Sequence, residues 1–450
     1  MPRHCSNHHS NTPLPLSELE KVLKPQINIG IIGFGTVGAG TLKVLLTNKA
    51  DIERRIGSRL EVVKVADLDL TTDRGVDFDK SILTTNAAEV LDNPEIDIVV
   101  ELIGGIKPAK DFILRALKNG KHVVTANKEL IAKEGMDILA TADEKGLDFY
   151  FEASVGGGIP IIRPLKECLA ANRILQVIGI VNGTTNYILT KMAYEGRDFG
   201  DVLAEAQAAG YAEADPTSDV EGYDARYKLA ILSAIAFTSR TNVNDIYTEG
   251  ITSISKSDIS YARDMGYAIK LLAIARRSGD EIQAKVHPTL IPLTHPLASV
   301  NDVFNGIFVT GDFVGDVMFY GRGAGSLPTG SAVAGDVMAI ARNINMGATG
   351  RLPCTCFDKL RIQPIEETEA KFYIRILVDD RPNVLAKIAG IFGEQGVSIA
   401  TMVQKDLQDG KAELVIVTHR LIERNFRMAM DEMAKLPVVS KVCNWIRVEE

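Results

Sequence analysis

The stretch that decides the fold is INIGIIGFGTVG, residues 27–38. Its first six residues form an apolar run interrupted only by Asn28, which is typical of a central strand in a parallel sheet covered on both faces. Gly33, Gly35 and Gly38 then give a G-x-G-x-x-G pattern that leads into a helix beginning near Thr36. Such glycines allow a tight turn and a close approach to a pyrophosphate, to which the helix N-terminus presents N–H donors. We therefore predict a dinucleotide-binding unit here.

The next hundred residues alternate between strands and helices. Apolar runs and turn residues predict strands at 60–66 and 96–102, a helix at 108–119, and a strand and turn at 121–128. This alternation predicts a Rossmann-type, doubly wound α/β domain over residues 27–150. Lys128 falls where a strand ends and a helix begins, and ligands bind at that edge of such sheets. A solvated lysine at a helix start is the alternative.

Two signals compete over the form of the nicotinamide cofactor. Asp67 ends the second strand, where an acid can bind the adenosine ribose hydroxyls and favour NAD. Five nearby cations offer a 2′-phosphate contact that would favour NADP: Arg54, Arg55, Arg59, Lys64 and Arg74. We predict that both forms are usable, with a preference for NAD.

Polar residues that could act in catalysis or binding are concentrated in GYAEADPTSDVEGYDARYK, residues 210–228. A loop rich in Asp, Glu, Pro and Gly leads into a helix that the apolar spacing predicts to be largely buried. Asp224 and Lys228 are four residues apart and therefore share one face of that helix. Glu213 adds a carboxylate in the loop. The pair at the mouth of an apolar helix is either a satisfied ion pair or an acid–base site.

The middle of the chain, residues 151–341, has a different pattern. FEASVGGGIPIIRPL at 151–165 places three glycines at a bend beside Glu152, and such carbonyls either ligate a hard cation such as Na⁺ or form a tight domain crossing. β-like runs follow at 173–183, 270–275 and 283–293. A second glycine turn opens a helix within 321–341. We predict an α+β domain whose last helix returns the chain to the cofactor.

The end of the chain forms a separate pattern. Residues 342–370 have little periodicity and predict a linker. Strand, helix, strand, strand, helix and strand patterns then follow at 372–378, 384–395, 396–404, 413–418, 422–435 and 438–448. That order predicts a small ferredoxin-like βαββαβ module at 371–450. The linker would allow the module to move relative to the rest of the chain.

Composition limits the class of protein. The chain has 450 residues, which is too long for one core. Its composition is 46% apolar and 24% charged. The net charge of −8 argues against nucleic acid as the main partner. No run of 18 apolar residues and no signal peptide are present, so we expect neither membrane insertion nor export. Five scattered cysteines suit a reducing cytoplasm.

Two groups of possible metal ligands are assigned no metal. The first group lies in a polar, aperiodic segment, so that residues 1–26 are predicted to be a flexible extension. Its members are His4, Cys5, His8 and His9. The second group, Cys354-Thr-Cys356, lacks the second pair of ligands that a zinc site needs.

Several motifs in order resemble homoserine dehydrogenase over about residues 27–341. They are GFGTVG at 33–38, TANK at 125–128, EASVGGGIP at 152–160, VNGTTNYIL at 181–189, the 210–228 stretch, and GRGAGSLPTGSAV at 321–333. DRPNVLAKIAGIFGEQGVSI, at 380–399, resembles an ACT domain, an amino-acid-sensing fold. That family prefers glycine where this chain has Asn383, but asparagine also tolerates a left-handed backbone.

The resemblance implies NAD(P)-dependent interconversion of L-aspartate 4-semialdehyde and L-homoserine. Lys228 matches the catalytic lysine that would protonate the developing alkoxide, while Asp224 would orient it and line the substrate site. Glu213 matches the acid that holds the substrate's amino group, and Lys128 matches a catalytic-site lysine between cofactor and substrate. The other matching positions are cofactor contacts at Phe34, Thr36, Val37, Gly210 and Gly325, and a structural Na⁺ site at Glu152, Val155, Gly157 and Ile159.

The resemblance also implies a metabolic place and regulation. The reaction belongs to threonine, methionine and isoleucine biosynthesis, with feedback inhibition by L-threonine through the ACT module and assembly into a homodimer or homotetramer. One alternative is a catalytically inactive NAD-binding amino-acid sensor, which would have no use for Lys228. Another is an aspartate-semialdehyde dehydrogenase, whose thioester chemistry needs an active cysteine. Cys168 is the only cysteine of the middle domain, and no histidine lies near it in sequence.

Overall fold

The computed structural model describes residues 23–406 and 410–449. The histidines and Cys5 of the predicted extension lie outside the described residues, and the first strand already begins at Gln26. Within the described ranges, no helix is both long and apolar enough to cross a membrane.

A six-stranded parallel sheet forms the first part of the chain, as predicted. Its strand order is β3-β2-β1-β4-β5-β6, so that the order reverses between β1 and β4. The elements are β1 (Gln26–Ile32), α1 (Thr36–Thr47), α2 (Lys49–Ile56), β2 (Arg59–Ala66), β3 (Leu83–Thr84), α3 (Ala88–Leu91), β4 (Ile98–Glu101), α4 (Ala109–Lys118), β5 (His122–Thr125), α5 (Lys128–Lys145) and β6 (Phe149–Tyr150). Ligands bind such sheets at the carboxyl ends of the strands beside the reversal.

The middle region builds a second, largely antiparallel sheet, in the order β12-β11-β7-β9-β10. Its elements are β7 (Ile174–Ile180), α6 (Gly183–Glu195), α7 (Phe199–Ala208), α8 (Thr217–Val220), α9 (Tyr223–Ala236), β8 (Tyr247–Thr248), α10 (Lys256–Asp264), β9 (Tyr267–Ser278), β10 (Glu281–Pro292), β11 (Phe304–Gly311), β12 (Gly315–Arg322) and α11 (Ser326–Met346). Helix α9, which carries Asp224 and Lys228, packs on β9 and β10.

The last helix of this region returns to the dinucleotide-binding unit, as predicted. Helices α11 and α1 meet glycine against glycine. A Cβ at Gly330 would lie 2.6 Å from the carbonyl carbon of Gly40, and a Cβ at Gly40 would lie 2.1 Å from the carbonyl oxygen of Ser326. Ser326 Oγ also donates to the carbonyl oxygen of Thr36 at 2.8 Å. The N-termini of the two helices therefore lie side by side.

The C-terminal module has the predicted βαββαβ order. Its elements are β14 (Glu369–Asp379), α12 (Val384–Glu394), β15 (Ile399–Asp406), β16 (Lys411–Thr418), α13 (Glu423–Met433) and β18 (Val439–Val448), with the short β17 (Leu421–Ile422) before α13. Asn383, immediately before α12, has φ 72° and ψ −3°. The left-handed turn expected at this position is therefore present.

The independent movement of this module stays a prediction, but the structure shows a direct attachment to the middle region that the sequence did not predict. Its strand β18 pairs with β10 at Thr289 and Leu290, so that the module and the middle region share one sheet of twelve strands. The predicted linker is tied to the same strand, because β13 (Arg361–Ile362) pairs with the start of β10. The physical reason is that an uncovered edge of β10 would present unpaired N–H and C=O groups.

Candidate active site

Asp224 and Lys228 lie one turn apart at the start of α9, as their spacing predicted. Lys228 Nζ donates to Asp224 Oδ2 at 2.6 Å and to the carbonyl oxygen of Val181 at 2.7 Å. The side chains of Asp224 and Lys228 are only 7% and 11% exposed. Gly222 precedes the helix with φ 81°, a conformation that favours glycine. The pair is therefore buried and held in one geometry.

Lys128 joins this pair from the dinucleotide-binding unit. Its Nζ lies 3.1 Å from Asp224 Oδ1, so that the carboxylate has one lysine on each oxygen. Lys128 is the first residue of α5, which Asn127 caps by accepting a hydrogen bond from the backbone of Leu130. The Lys128 side chain is 41% exposed, so its ammonium group remains accessible to a ligand.

A buried carboxylate fixes the turn that precedes Lys128. Glu101 ends β4 and accepts a hydrogen bond from Thr125 Oγ1 at 2.7 Å, and burial raises the pKa of Glu101 above its usual value. Asn127 Nδ2 donates to the carbonyl oxygen of Gly105 at 2.6 Å, in the loop after β4. Thr125 and Asn127 of the TANK motif therefore hold the two strand ends together beside Lys128.

Two side chains that the sequence reasoning did not single out complete the cluster. Asn182 donates to Asp224 Oδ2 at 2.8 Å and to Asp219 Oδ1 at 2.7 Å. Asn182 is buried at the N-cap of α6, directly after β7, and Asp219 lies in α8. Both stand in motifs quoted above, but one sequence gives no signal that separates a capping asparagine from one that also binds two carboxylates.

The two lysines govern the ionisation of the cluster. Burial alone would raise the pKa of Asp224, but the ammonium groups of Lys228 and Lys128 outweigh burial and hold the pKa of Asp224 well below its usual range. The negative charge of Asp224 in turn raises the pKa of Lys128. Both of these groups are therefore charged at neutral pH, which is the state in which an ammonium can donate a proton.

Glu213, predicted to bind the substrate, stands apart from this cluster. It lies in the exposed loop between α7 and α8, and its carboxylate makes no hydrogen bond or ion pair with the part of the chain that is described. Gly210 opens the same loop with φ 76°. Thr184 Oγ1 at the start of α6 donates to the carbonyl oxygen of Tyr211 at 2.7 Å, which ties the loop to the region of Asn182. The Glu213 carboxylate is thus free to bind a cation from solvent.

The glycine turn has the geometry that the sequence predicted. Gly33 has φ 99°, and a Cβ there would lie 2.7 Å from the carbonyl carbon of Leu102. A Cβ at Gly38 would lie 2.1 Å from the carbonyl oxygen of Gly33. Gly35, in contrast, faces open space with nothing within 4 Å, and no side chain caps the N-terminus of α1. Open space above free N–H groups fits a pyrophosphate.

The other predicted cofactor contacts surround this turn. Phe34 is buried within it, and Thr36 and Val37 are the first two residues of α1. Gly325, with φ 121°, precedes α11, whose N-terminus also lacks a side-chain cap. Because Ser326 binds the backbone of Thr36, two uncapped helix N-termini lie next to each other. The backbone N–H groups of these two helix N-termini fit the phosphates of a dinucleotide.

Asp67 follows the carboxyl end of β2, as predicted. Its Oδ2 accepts a hydrogen bond from the backbone N–H of Phe34, and its Oδ1 accepts one from Asp69 at 2.8 Å. The carboxylate therefore ties the loop after β2 to the glycine turn.

The predicted competing cations do not gather around Asp67. Arg54 and Arg55 lie in α2, before β2. Arg59 begins β2, roughly 26 Å from Asp67 for eight residues at about 3.3 Å each. Lys64 pairs with Glu89 at 3.2 Å. Arg74 alone follows Asp67 in the loop after β2, where it pairs with Asp69 at 3.1 Å.

Glu152 joins the two halves of the molecule. Its carboxylate accepts hydrogen bonds from the backbone N–H groups of Ile161, Ile162 and Arg163 at 2.5, 2.7 and 2.8 Å. Its own backbone N–H donates to Asp336 Oδ2 of α11 at 2.8 Å. The Glu152 side chain thus serves the tight crossing that was one of the two interpretations of this stretch.

The backbone of the same bend fits the other interpretation. The carbonyl oxygens of Val155, Gly157 and Ile159 accept no hydrogen bond from any described residue, although Val155 and Ile159 are 0% and 1% exposed. Buried carbonyls without a donor are rare. Neutral oxygens are ligands that a hard cation accepts. Among the described residues, no group of three or more His, Cys, Asp and Glu could hold a metal ion.

Cys168 lacks the surroundings of a nucleophile. It is exposed, lies in the turn Pro164–Cys168, and its thiol has no hydrogen-bond partner among the described residues. A catalytic cysteine needs an adjacent base or cation. Cys168 therefore does not fit the thioester chemistry of an aspartate-semialdehyde dehydrogenase.

Comparison with known proteins identifies the family of this chain. The family model described as the homoserine dehydrogenase NAD-binding domain matches residues 33–152, the model described as homoserine dehydrogenase matches 160–338, and the ACT domain matches 372–438. A homoserine dehydrogenase from Bacillus subtilis is 43% identical over 94% of this chain and 98% of its own. One from Synechocystis is 46% identical over 94% of this chain and 99% of its own.

Solved structures share the fold. A homoserine dehydrogenase from Thiobacillus denitrificans has a TM-score of 0.87 and 44% identity, covering 94% of this chain and 98% of that chain. A hyperthermophilic archaeal homoserine dehydrogenase in complex with NADPH has a TM-score of 0.59 and 27% identity, covering 70% of this chain and 97% of that chain. The relatives are 43% and 46% identical over 94% of this chain. Together with the glycine turn and the lysine–aspartate cluster, this similarity shows that this chain belongs to the homoserine dehydrogenase family.

Proposed function

We propose that the protein interconverts L-aspartate 4-semialdehyde and L-homoserine at the cluster of Lys128, Asp224 and Lys228. Its family makes it an NAD(P)-dependent oxidoreductase. The observation that carries the assignment of the site is the buried carboxylate of Asp224, which has a lysine on each oxygen. One lysine comes from the dinucleotide-binding unit and the other from the middle region, so the cluster lies where a cofactor and a small polar substrate can meet.

Lys228 is the proposed acid and base. An ammonium group has three N–H donors, and Asp224 and Val181 bind two of them. The third is available to the oxygen of the substrate. Reduction of the aldehyde creates an alkoxide, which Lys228 protonates, and in the oxidation Lys228 takes the hydroxyl proton. When bound, the nicotinamide cofactor supplies or accepts the hydride.

Lys128 and Glu213 are proposed to hold the substrate. Lys128 is accessible and positively charged, so its ammonium can bind the substrate carboxylate or oxygen while Asp224 fixes its direction. Glu213 has a free and exposed carboxylate, which suits the ammonium group of homoserine. Asp219, fixed by Asn182, adds a second anion on the same side. This division separates binding residues from the proton carrier.

The glycine turn is proposed to bind NAD or NADP, with a preference for NAD. Gly33 and Gly38 allow the tight turn, Gly35 leaves room for the pyrophosphate, and Asp67 would repel a 2′-phosphate. The archaeal relative was solved with NADPH, so use of NADP by this chain is also expected. The ratio of kcat/KM for the two cofactors measures the preference, and Arg74 is the cation whose replacement by Ala should lower NADP use. A strong excess of NADP activity that Asp67→Ala leaves unchanged would contradict the assignment.

A structural Na⁺ is proposed at the glycine bend. The carbonyl oxygens of Val155, Gly157 and Ile159 accept no hydrogen bond from the described residues, and Glu152 is the fourth ligand that family resemblance suggests. The ion would hold the crossing between the two halves of the molecule. Thermal unfolding in NaCl and in tetramethylammonium chloride at equal ionic strength tests this, because a specific site predicts higher stability in Na⁺.

The ACT module is proposed to bind L-threonine. A cavity of about 330 Å³ lies beside the turn before α12 and is lined by residues 378–385 and by strands β15 and β16. Asn383 turns the chain so that the N-terminus of α12 opens without a side-chain cap. Such donors fit the carboxylate of an amino acid. Inhibition of the full-length protein by threonine, against serine and valine as controls, tests the proposal.

A short contact path supports feedback through this module. Arg447 of β18 is buried and binds Glu249 at 2.9 Å as well as the buried Glu423. Two residues beyond Glu249, the N–H of Ile251 donates to the carbonyl oxygen of Val220 at 2.8 Å, four residues before Asp224. We expect Glu249→Gln to keep the basal activity and to weaken threonine inhibition. The half-buried Glu367, which pairs with Arg361 near the module, provides a matched control, because Glu367→Gln should leave inhibition intact.

Assembly and location complete the proposal. A homodimer or homotetramer is supported by exposed apolar side chains at the edge of the middle sheet, Phe313 and Tyr320, which are 88% and 57% exposed. Four free cysteines in the described ranges suit the reducing cytoplasm. Analytical ultracentrifugation of the wild type and of Phe313→Ser measures the assembly.

The assay that tests the function is spectrophotometric. Purified protein should produce NADH or NADPH from L-homoserine without phosphate or an acyl acceptor. The inactive-sensor alternative predicts cofactor and amino-acid binding without turnover. An enzyme that requires phosphate would indicate the thioester chemistry instead.

A further inference from the structure

Asn182 is the one neutral side chain at the centre of the charged cluster. It is 5% exposed and lies between the end of β7 and the start of α6. Its carboxamide oxygen accepts hydrogen bonds from the N–H and the hydroxyl of Thr185, both at 2.9 Å. Its NH₂ group donates to Asp219 and Asp224. A carboxamide has two donors and two acceptor sites, so every one of them is used.

This saturation fixes the orientation of the carboxamide. A flip would place its oxygen against two carboxylates and its NH₂ group against the donor N–H of Thr185. Helix α6 thus holds the oxygen, and the NH₂ group is forced towards Asp219 and Asp224. The side chain acts as a rigid bracket between the end of a central strand and two acidic groups.

The two carboxylates share one nitrogen atom. Their contacts with Asn182 Nδ2 are 2.7 and 2.8 Å long, so the two oxygens lie within about 5.5 Å of each other. Like charges at that separation favour retention of a proton by one of them. The donor NH₂ group and the lysines oppose this effect. The backbone beside Asn182 has a related role, because the carbonyl oxygen of Val181 holds Lys228.

We infer that Asn182 is a positioning residue of the reaction: its NH₂ group sets Asp219 and Asp224 at a fixed separation and offsets the repulsion between their oxygens, so that Lys228 and the substrate-binding groups keep their alignment. The inference rests on the proposed roles of Lys228 and Asp224. It assigns Asn182 no contact with the reacting atoms.

Asn182→Asp separates this role from helix capping. Aspartate caps a helix as well as asparagine does, so the contact with Thr185 can persist. The NH₂ donor, however, is replaced by an oxygen, and a third carboxylate enters the cluster. We expect kcat to fall roughly tenfold to hundredfold, the size of a lost hydrogen bond to a charged group. The acid limb of the kcat–pH profile should move to higher pH, because the cluster then retains a proton.

The controls keep the test decisive. Asn242→Asp makes the same change at an exposed cap, whose side chain accepts a hydrogen bond from the N–H of Asn244 at 3.0 Å and makes none with a carboxylate of the described residues. It should leave kcat and the pH profile unchanged. If Asn182→Asp does not fold, Asn182→Ser retains a capping oxygen with a single donor and should give a smaller loss of kcat with unchanged cofactor affinity.

Wild-type kcat and an unshifted pH profile in Asn182→Asp, or in Asn182→Ser where only that variant folds, would overturn the inference and leave Asn182 as a helix cap. That result would leave the proposed function intact. Failure of the wild type to oxidise homoserine would instead refute the proposed function.

Discussion

Replacement of Lys228 by methionine is the most direct perturbation of the site. Methionine keeps much of the buried aliphatic volume and removes the ammonium group. Because Asp224 and Val181 already bind two of its three N–H donors, Lys228 can present only one proton to the substrate. Loss of that general acid and base should lower kcat by about 10²–10⁴-fold. Cofactor affinity should stay near normal, since the hydrogen bonds of Lys228 go to Asp224 and Val181 and not to the glycine turn.

The same substitution should destabilise the fold moderately. Breaking a buried ion pair costs about 3–5 kcal/mol when a charge is left without a partner. Asp224 would keep Lys128 at 3.1 Å and Asn182 at 2.8 Å, so we expect a loss of only about 2 kcal/mol. The pKa of Asp224 is depressed in the native state, so its contribution to stability is present at neutral pH and is lost as pH falls below its usual range.

Steady-state kinetics with homoserine, NADH binding followed by fluorescence, and urea unfolding provide the three readouts. Lys270→Met is the matched control, because Lys270 is 3% exposed and donates only to neutral oxygens, including the carbonyl oxygen of Val300 at 2.6 Å. It should lose stability with little change in kcat. Near wild-type kcat in Lys228→Met would refute the reasoning. Lys128→Met would then be the variant to examine for a loss of kcat.

Three further predictions address binding, pH and the module. Glu213→Ala should raise the KM for homoserine about tenfold to a hundredfold with little change in kcat, since a charged hydrogen bond contributes roughly 1.5–3 kcal/mol; Asp215→Ala is the control, and a collapsed kcat with unchanged KM would contradict this role. Burial, together with the charge of Glu152, raises the pKa of Asp336 to about 8, so the native state holds a proton that the unfolded chain releases near pH 4, and stability falls as pH rises between these values. One pKa unit corresponds to about 1.4 kcal/mol, so urea unfolding should show that the free energy of unfolding of Asp336→Asn rises by at least about 1 kcal/mol relative to that of the wild type between pH 5.5 and pH 8.5. An equal difference between the two proteins at both pH values would exclude Asp336 as the titrating group. Asn383→Ala should cost about 1 kcal/mol because alanine resists the left-handed backbone, whereas Asn383→Gly should be tolerated; equal stability of the two variants would show that the turn has relaxed.

Some of the site was readable from the sequence because its signals are local. The glycines at 33, 35 and 38 specify a turn through steric demands within one short stretch. The spacing of Asp224 and Lys228 places them on one face of any helix. The βαββαβ order of the last eighty residues follows from periodicity alone, and the left-handed backbone at Asn383 was expected from the resemblance to the ACT family, which prefers glycine there.

The rest depended on contacts between distant residues. Asn182 bridges Asp219 and Asp224, which are 37 and 42 residues away, and its type fits an ordinary helix cap. The linker suggested a mobile module, yet the free edge of β10 pairs with β18, because unpaired backbone groups at a sheet edge are costly. Local sequence thus determined the turn, the helix face and the order of elements. Only the tertiary structure decided which strand edges and which carboxylates share partners, since hydrogen bonds and charges are satisfied in space, wherever the chain brings a partner.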